Sequence, residues 1–354
     1  MEIKIRPFED SDTDTLMARF KGLKLFDRGR AYVEWSISFH PRQRIFLLAC
    51  LDDTIIGWQQ VTMSWLKVGD KIIKAYYGSI FIHPDHRKKR YSFLTLNRLA
   101  KTMQIEVTNK EGVFYGFPNP RLGFYCNYAV DAHSIKTIPR YVCILHIAYV
   151  FERILKAKRV ANALGWLCQP LWEWWLLGTK HRPKGVEVKE IHCFDERFNH
   201  LWEKTSKTHK IISMRDTEYL NWRYLKEPGR RFVIFAAERN KELLGYIILK
   251  PLEDKDRRAG ILIDIFDIQD KAVTNALFLR AIRYFISEGA NKLEFYVSDE
   301  YYEKILRSLR FMKREGRPGF VDLLSVVRCS KSIDENYFYN AKHWFITTAD
   351  MLLS

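Results

Sequence analysis

Tyr76–Lys101, YYGSIFIHPDHRKKRYSFLTLNRLAK, decides how the rest of the chain is read. Residues 76–82 are aromatic and β-branched with small interruptions, a composition that suits a buried strand. Pro84 ends the ladder, because it has no N–H to donate. From Tyr91 the apolar positions Phe93, Leu94, Leu96, Leu99 and Ala100 fall at helical spacing. Between strand and helix, six of the eight residues from His83 to Arg90 are basic or imidazole. A strand-to-helix turn presents unpaired backbone N–H groups and the positive end of the helix dipole. Cations at that spot make it a seat for a polyanion such as a diphosphate; a solvated basic loop is the plainer alternative.

Length and charge bound the answer. At 354 residues the chain has room for about two domains. A hydrophobic fraction of 47% supplies a sizeable core, and 58 basic against 42 acidic residues leave a net charge of +16. That excess favours anionic ligands, anionic membrane surfaces or nucleic acid, and is silent on fold. The six cysteines are scattered without a C-x-x-C pair and mostly sit in apolar runs, as reduced thiols do. The N-terminus, MEIKIRPFEDSD, lacks the apolar stretch of a signal peptide. No run approaches the ~18 apolar residues of a spanning helix. A cytoplasmic protein, peripheral at most to the inner face of the membrane, is expected, and no metal is called for.

Upstream, residues 3–6 alternate as a short strand and PFEDSDTDTL offers helix caps. RIFLLACL (44–51), an Asp52-Asp53 turn and IIGWQQVTM (55–63) read as a hairpin leading to the strand at 76–82. Downstream, VFYGF (113–117) reads as a further strand closed by Pro118-Asn119-Pro120.

Ile82-His83-Pro84-Asp85-His86-Arg87-Lys88-Lys89-Arg90-Tyr91-Ser92 resembles the acetyl-CoA-binding segment of the GNAT N-acyltransferase superfamily, hydrophobic-x-Pro-x-x-Arg-Gly-x-Gly-x-Gly/Ala before a helix. Ile82, Pro84 and Arg87 match, whereas Lys88, Arg90 and Ser92 stand where the family usually has glycine or alanine. Glycine permits close backbone approach to a pyrophosphate; other residues serve if φ stays negative, and Arg90 could clamp phosphate oxygens. The resemblance implies that Ile80, Phe81 and Ile82 offer main-chain groups to pantetheine, with Arg87, Lys88, Lys89, Arg90, Tyr91, Ser92 and Asn119 completing the coenzyme site. Gly78 is consistent with a bulge there. Tyr125, followed by Cys126-Asn127-Tyr128-Ala129-Val130, resembles the family's thiolate-protonating tyrosine, with Tyr128 as the alternative; core aromatics are the other reading. No carboxylate lies on strand 76–82, so the general base is unassigned.

Residues 141–185 carry Trp166, Trp172, Trp174 and Trp175 flanked by lysines and arginines. An amphipathic hairpin on an anionic bilayer and a packed helical connector both fit; the usual burial of tryptophan favours the connector. From Val186 a second domain is expected. RFVIFAAERNKELLGYIIL (231–249) repeats the pattern of RIFLLACLDDTIIGWQQV (44–61) about 190 residues on. Its 264–275 junction lacks the basic turn, so no second coenzyme is expected. The segment Tyr219–Tyr224, YLNWRY, is similar to segments of two-domain GNAT-like proteins, and offers Asn221, Trp222 and Arg223, with Asp264, as substrate contacts. Asp350 near the end could reach a cleft.

The expected fold is α+β: two GNAT-like units, each a mixed, mostly antiparallel sheet flanked by helices. They occupy residues 1–140 and 186–354 around the 141–185 connector. The resemblance implies transfer of an acetyl or other acyl group from CoA to a small amine, such as an amino sugar of a surface polysaccharide. Two further readings are a Fem-type aminoacyl-tRNA-dependent transferase, whose basic charge would face RNA, and a non-catalytic binding module.

Overall fold

The computed structural model describes residues 2–23, 26–37, 44–109, 112–117, 133–155, 157–178, 185–252, 259–314, 323–327 and 333–351. Its first sheet is built from β1 (Ile3–Pro7), β2 (Arg44–Leu51), β3 (Thr54–Val68), β4 (Lys71–Ile82), β5 (Val113–Gly116) and β6 (His133–Thr137). The second uses β7 (Arg140–Ile144), β8 (Glu187–Ile191), β10 (Val233–Arg239), β11 (Glu242–Lys250), β12 (Ala259–Asp267), β13 (Lys292–Tyr296) and β14 (Met312–Arg314). Short β9 (Ile211–Ser213) pairs with the far end of β3, and β15 (Leu323–Val327) returns to the first sheet. The helices are α1 (Thr13–Arg19), α2 (Arg30–Ile37), α3 (Ser92–Asn109), α4 (Ala148–Leu155), α5 (Lys158–Leu177), α6 (Arg197–Thr205), α7 (Thr217–Leu225), α8 (Lys271–Ser287) and α9 (Glu300–Ser308), followed by two single-turn pieces.

The two sheets repeat one plan. The first runs β1-β2-β3-β4-β5-β15-β6 and the second β8-β10-β11-β12-β13-β7-β14. In each, neighbours are antiparallel except at one central step, β4–β5 or β12–β13, which is parallel. The two hairpins of the sequence repeat share their register as well. Ala49 faces Gly57 and Ala237 faces Gly245, each followed at once by a register shift. Both glycines sit where a Cβ would strike the next strand, within 2.7 Å of Phe81 O and within 2.3 Å of the Asp267 Cβ.

The sixth place in each sheet is filled from the other half of the chain. β7, at the start of the expected connector, joins the second sheet between β13 and β14, while β15 enters the first between β5 and β6. The sheets therefore cut across the linear boundaries at 140 and 185. Pairing partners are chosen by which edge is open in three dimensions, a choice that local pattern does not encode.

Helix α3 covers one face of the first sheet. Its buried residues Thr95, Leu99, Met103 and Val107 recur every four positions and meet Ile45, Leu47, Val61 and Tyr76. Burying Leu99, Met103 and Val107 contributes about 1.5–3 kcal/mol each. The α4–α5 hairpin packs on its inner side only. A Cβ at Gly165 would lie 2.3 Å from that of Ala148, and Trp172 donates to Ile144 O at 3.2 Å. The outer side corrects the expectation of a tryptophan core: Trp166 is 78% exposed, Leu171 72% and Trp174 64%.

His209 is buried between Phe266 and Phe345, with ring centroids 6.0 and 4.3 Å away. Burial, then the charges of Arg215 and Lys67, push its pKa down to about 3, and Asp299, 3.9 Å away, does not offset them. The unfolded chain binds a proton near pH 6.5 that the native state refuses, so this contribution is whole above ~6.5 and shrinks as pH falls, by up to about 1.4 kcal/mol per unit. Urea unfolding of the wild type and His209→Phe, titrated from about pH 7 to pH 4, is expected to show the wild type losing ground on acidification. A pH-independent difference would contradict it.

Candidate active site

Strand β4 is paired on both edges only as far as Tyr77. Its parallel pairing with β5 comprises Ala75–Val113, Tyr76–Phe114 and Tyr77–Tyr115, whereas its antiparallel pairing with β3 continues to Ile82. Among the described residues, the outer edge of 78–82 is left unpaired in the middle of a sheet. Gly78 is exposed, and Ser79, Ile80 and Phe81 are half-buried. Backbone N–H and C=O groups along such a slot are able to pair with an extended chain. At its closed end the rings of Tyr77 and Tyr115 lie 5.7 Å apart, and burial raises both phenol pKa values.

Gly78 serves the slot differently from expectation. The β3–β4 register passes through it unbroken, so there is no bulge. A Cβ there would fall 1.8 Å from Gln60 O, and glycine is what lets the two strands approach.

Past Ile82 the chain makes a single turn, Pro84–His86, and enters α3 at Ser92. The amides of Lys88, Arg90 and Tyr91 have no hydrogen-bond partner among the described residues. The side chains of Lys88, Lys89 and Arg90 are exposed, and φ is not positive at Lys88, Arg90 or Ser92. Turn, helix N-terminus and three uncommitted cations thus meet at the open end of the slot. Arg87 does something other than clamp a ligand with its whole guanidinium. Its Nε donates to Ile82 O at 2.9 Å and its Cζ stands 4.6 Å over the Phe81 ring, bracing the turn against the strand.

His86 locks the turn to α1. Arg19 Nη2 lies 3.0 Å from His86 Nε2, and Tyr91 Oη 2.6 Å from Nδ1. Arginine only donates, so Nε2 is the acceptor and Nδ1–H donates to Tyr91. Burial, followed by the Arg19 charge, lowers the His86 pKa and keeps this tautomer neutral. Tyr91 is thereby a brace, and Ser92, buried, is the first residue of the helix.

The opposite face of β3 and β4 floors a cleft walled by α2 and α7. Tyr32, Trp35, Arg44, Trp58, Gln60, Tyr77, Ser79, Trp222 and Arg223 are among its lining residues. Trp222 stacks on Trp35, with centroids 4.6 Å apart and planes 13° from parallel. Arg223 is buried and bonds Glu227 at 3.1 Å; Arg28 and Arg230 bind the same carboxylate at 2.7 and 2.9 Å. Helix α2, Trp35 and Arg44 were not anticipated as site elements.

Two expected substrate contacts are committed elsewhere. Asn221 donates to Phe194 O and Thr217 O and accepts from Phe194 N, which ties α7 to the preceding loop. Asp264 is buried, holds Arg215 bidentately at 2.9 and 3.1 Å, and also accepts from Thr347 at 2.7 Å. Asp350 joins it, 3.3 Å from Arg215 Nη2 and 2.9 Å from Thr347 N. Fully bonded buried carboxylates of this kind hold structure. Asn119, Tyr125 and Tyr128 lie outside the described residues.

The matching place in the second sheet is closed. Parallel pairing of β12 with β13 stops at Ile261–Glu294, yet residues 262–267 are all buried. The tail segment enters this gap: Ser298 N donates to Ile346 O, Tyr296 N to the Thr348 hydroxyl, and Thr347 to Asp264. The turn is filled too. Asp267 accepts from Gln269 N and Thr274, and Asp270 caps Ala272 N and Val273 N of α8. Burial pushes the Asp267 carboxyl up to about 7.

The sequence matches no family model and no curated protein. Solved structures do resemble it. A GCN5-related N-acetyltransferase from Anabaena variabilis aligns over 92% of this chain and 72% of its own, with TM-score 0.63 and 11% identity. One from Kribbella flavida aligns over 92% and 70%, at 0.56 and 11%. Saccharomyces cerevisiae N-myristoyltransferase, solved with bound myristoyl-CoA, aligns over 92% and 82%, at 0.56 and 11%. The fold is the mixed α+β architecture of GNAT acyltransferases.

Proposed function

We propose that the chain is an acyl-CoA-dependent N-acyltransferase whose single coenzyme site lies in its first half, and that residues 186–354 supply a scaffold and one wall of the acceptor cleft. The observation that carries this is the open edge of β4 running into a cationic helix N-terminus, in a chain whose duplicate of that site is plugged by its own tail. Pantetheine amides pair with residues 78–82, and the diphosphate rests on the amides of Lys88, Arg90 and Tyr91 and on the side chains of Lys88, Lys89 and Arg90. The amine attacks the thioester carbonyl from the cleft side and releases a proton to solvent as the C–N bond forms and the C–S bond breaks. Main-chain N–H groups of β4 stabilise the oxyanion, and Tyr125, or Tyr128, protonates the leaving thiolate and is reprotonated from solvent. The fold neighbours named for N-acetyl and N-myristoyl transfer support a CoA thioester as donor.

Calorimetry with acetyl-CoA and with CoA on the purified protein is the direct test. Binding is expected, weakened at least about tenfold in Lys88→Ala/Arg90→Ala and further by salt, since exposed charge-assisted bonds carry it. A wild type that binds neither compound removes the assignment.

The protein docks on an anionic bilayer through the α4–α5 hairpin. Val160, Leu164, Leu167, Leu171 and Trp174 form one exposed stripe at alternating four- and three-residue spacing, with Trp166 beside it and Arg153, Lys158 and Arg159 exposed nearby. The single acid of α5, Glu173, is half-buried and holds Gln169. Tryptophan with adjacent cations is the composition that partitions into a negative interface, and no helix among the described residues is long and apolar enough to cross a membrane. Co-sedimentation with phosphatidylserine-containing vesicles is expected, with loss in Trp166→Ser/Trp174→Ser and little pelleting on neutral vesicles. A dimer that the same variant dissolves would instead assign the stripe to a second copy.

A further inference from the structure

From the cleft under β4 we infer that the acceptor amine also carries an oxyanion, and that Arg44 holds it. Arg44 opens β2, and its Nε and Nη1 are shut off from solvent without a hydrogen-bond partner among the described residues. No lining residue of the cleft is acidic, and the preceding stretch SFHPRQ (residues 38–43) contains no carboxylate. Burial without a counter-charge lowers the guanidinium to about 9, which still leaves it cationic at neutral pH. Donors shut off from solvent without a partner are costly, and native proteins keep them where something else completes them.

A second set of groups points the same way. The indole N–H groups of Trp35 and Trp58 are on residues 95% and 94% buried, line the same cleft, and have no acceptor among the described residues. Arginine and indole donate only. The group that answers them is therefore one that accepts and does not donate, as a carboxylate, phosphate or sulfate does. In the nearby wall Arg28, Arg223 and Arg230 each bond the carboxylate of Glu227, beside an aromatic slot. Ser79 and Tyr77 belong both to the cleft lining and to the strand that bears the open edge. A molecule anchored by its acid on Arg44 is thus held against the strand where acyl transfer is proposed. The substrate class is an amine bearing an acid group, an amino acid or acidic amino sugar, and this part of the inference rests on the acyl-transfer reading.

The test uses the full chain without CoA, with tryptophan fluorescence as a local reporter and calorimetry as a check. Glutamate, glucosamine 6-phosphate and taurine are the acid-bearing probes, against ethanolamine and glucosamine; inorganic phosphate and sulfate separate an oxyanion site from recognition of the whole amine. Saturable binding of at least one acid-bearing amine is expected, lost at least tenfold in Arg44→Gln and retained in part by Arg44→Lys. Arg44→Met, close in volume, should leave the melting temperature of the unliganded protein unchanged or raised, because it removes a charge that only the ligand neutralises. A large fall in that temperature would make Arg44 a structural ion and overturn the inference. So would transfer of the acyl group to neutral amines alone by a wild type that binds no acid-bearing probe. Loss of acid binding in Arg44→Gln, in a protein that never binds CoA, would uphold the anion site and end the acyl-transfer reading. Trp35→Phe, which keeps the ring and removes one N–H, should weaken oxyanion binding if Arg44 variants fail to fold.

Discussion

A strand inside a sheet must satisfy both of its edges, and among the described residues β4 beyond Tyr77 satisfies only one. Everything distinctive about the first half follows from that unbalanced requirement. Gly78 permits β3 to press close and hold the strand straight. Arg87 takes up the last carbonyl, that of Ile82, so the chain turns at a fixed point. The amides that then face outward belong to a helix N-terminus, where an anion is the natural partner. In the second half the same gap arises and the protein fills it with itself. The tail at Trp344–Asp350 bonds residues 296–298 at and beyond the end of β13 and the Asp264 side chain of β12, and Asp267 and Asp270 take up the N–H groups of the turn and helix start. The plugged copy serves as an internal control, because it indicates what the open copy lacks: an extended polar chain ending in an anion.

The exchange of β7 and β15 gives the cleft fixed walls. Two units joined only by a linker would be free to shift relative to each other. Here each sheet contains a strand of the other half, and the far end of β3 pairs with β9 as well. Trp222 of α7 can therefore stack on Trp35 of α2 at a defined 4.6 Å, and Glu227 can hold Arg28 from the other half. Separating the halves would require breaking two interior ladders, so the cleft is as rigid as the sheets that carry it.

The parts of this arrangement that were legible in the sequence are local. The strand, turn and helix of 76–101 announce themselves by composition, by Pro84 and by the basic run. The hairpin repeat does so through a shared order of arginine, apolar strand, charged turn, apolar pair, glycine and aromatic, which the structure ties to the Ala49–Gly57 and Ala237–Gly245 pairs. What escaped depends on tertiary neighbours. The pattern of Tyr141–Ile144 or of Leu323–Val327 does not say which sheet will receive it. Arg87 looks like a phosphate ligand until its direction is known, and Asp264 like a substrate contact until Arg215 is placed beside it. Trp166 and Trp174 read as core because tryptophan usually is core. One signal was present and unread: an arginine at the first position of the otherwise apolar strand 44–51, next to a sequence with no acid to pair with it.

The surplus charge of +16 now resolves into places with different physics. Lys88, Lys89 and Arg90 stand in water, where attraction to a phosphate is strong at low salt and screened within about 8 Å at physiological ionic strength. Lys158 and Arg159 stand in the same regime; under the proposed docking they would draw the hairpin toward a negative surface while its tryptophans supply an apolar term that salt does not weaken. Arg44 belongs to the other limit. Its Nε and Nη1 are shut away from solvent, so their interaction with a bound oxyanion is screened less than that of the exposed cations, and desolvation of the guest sets selectivity. A neutral amine would enter that cleft and leave Arg44, Trp35 and Trp58 unanswered, whereas an acid-bearing one completes all three. The exposed cations govern how fast and how strongly anions arrive; the buried one governs which of them is accepted.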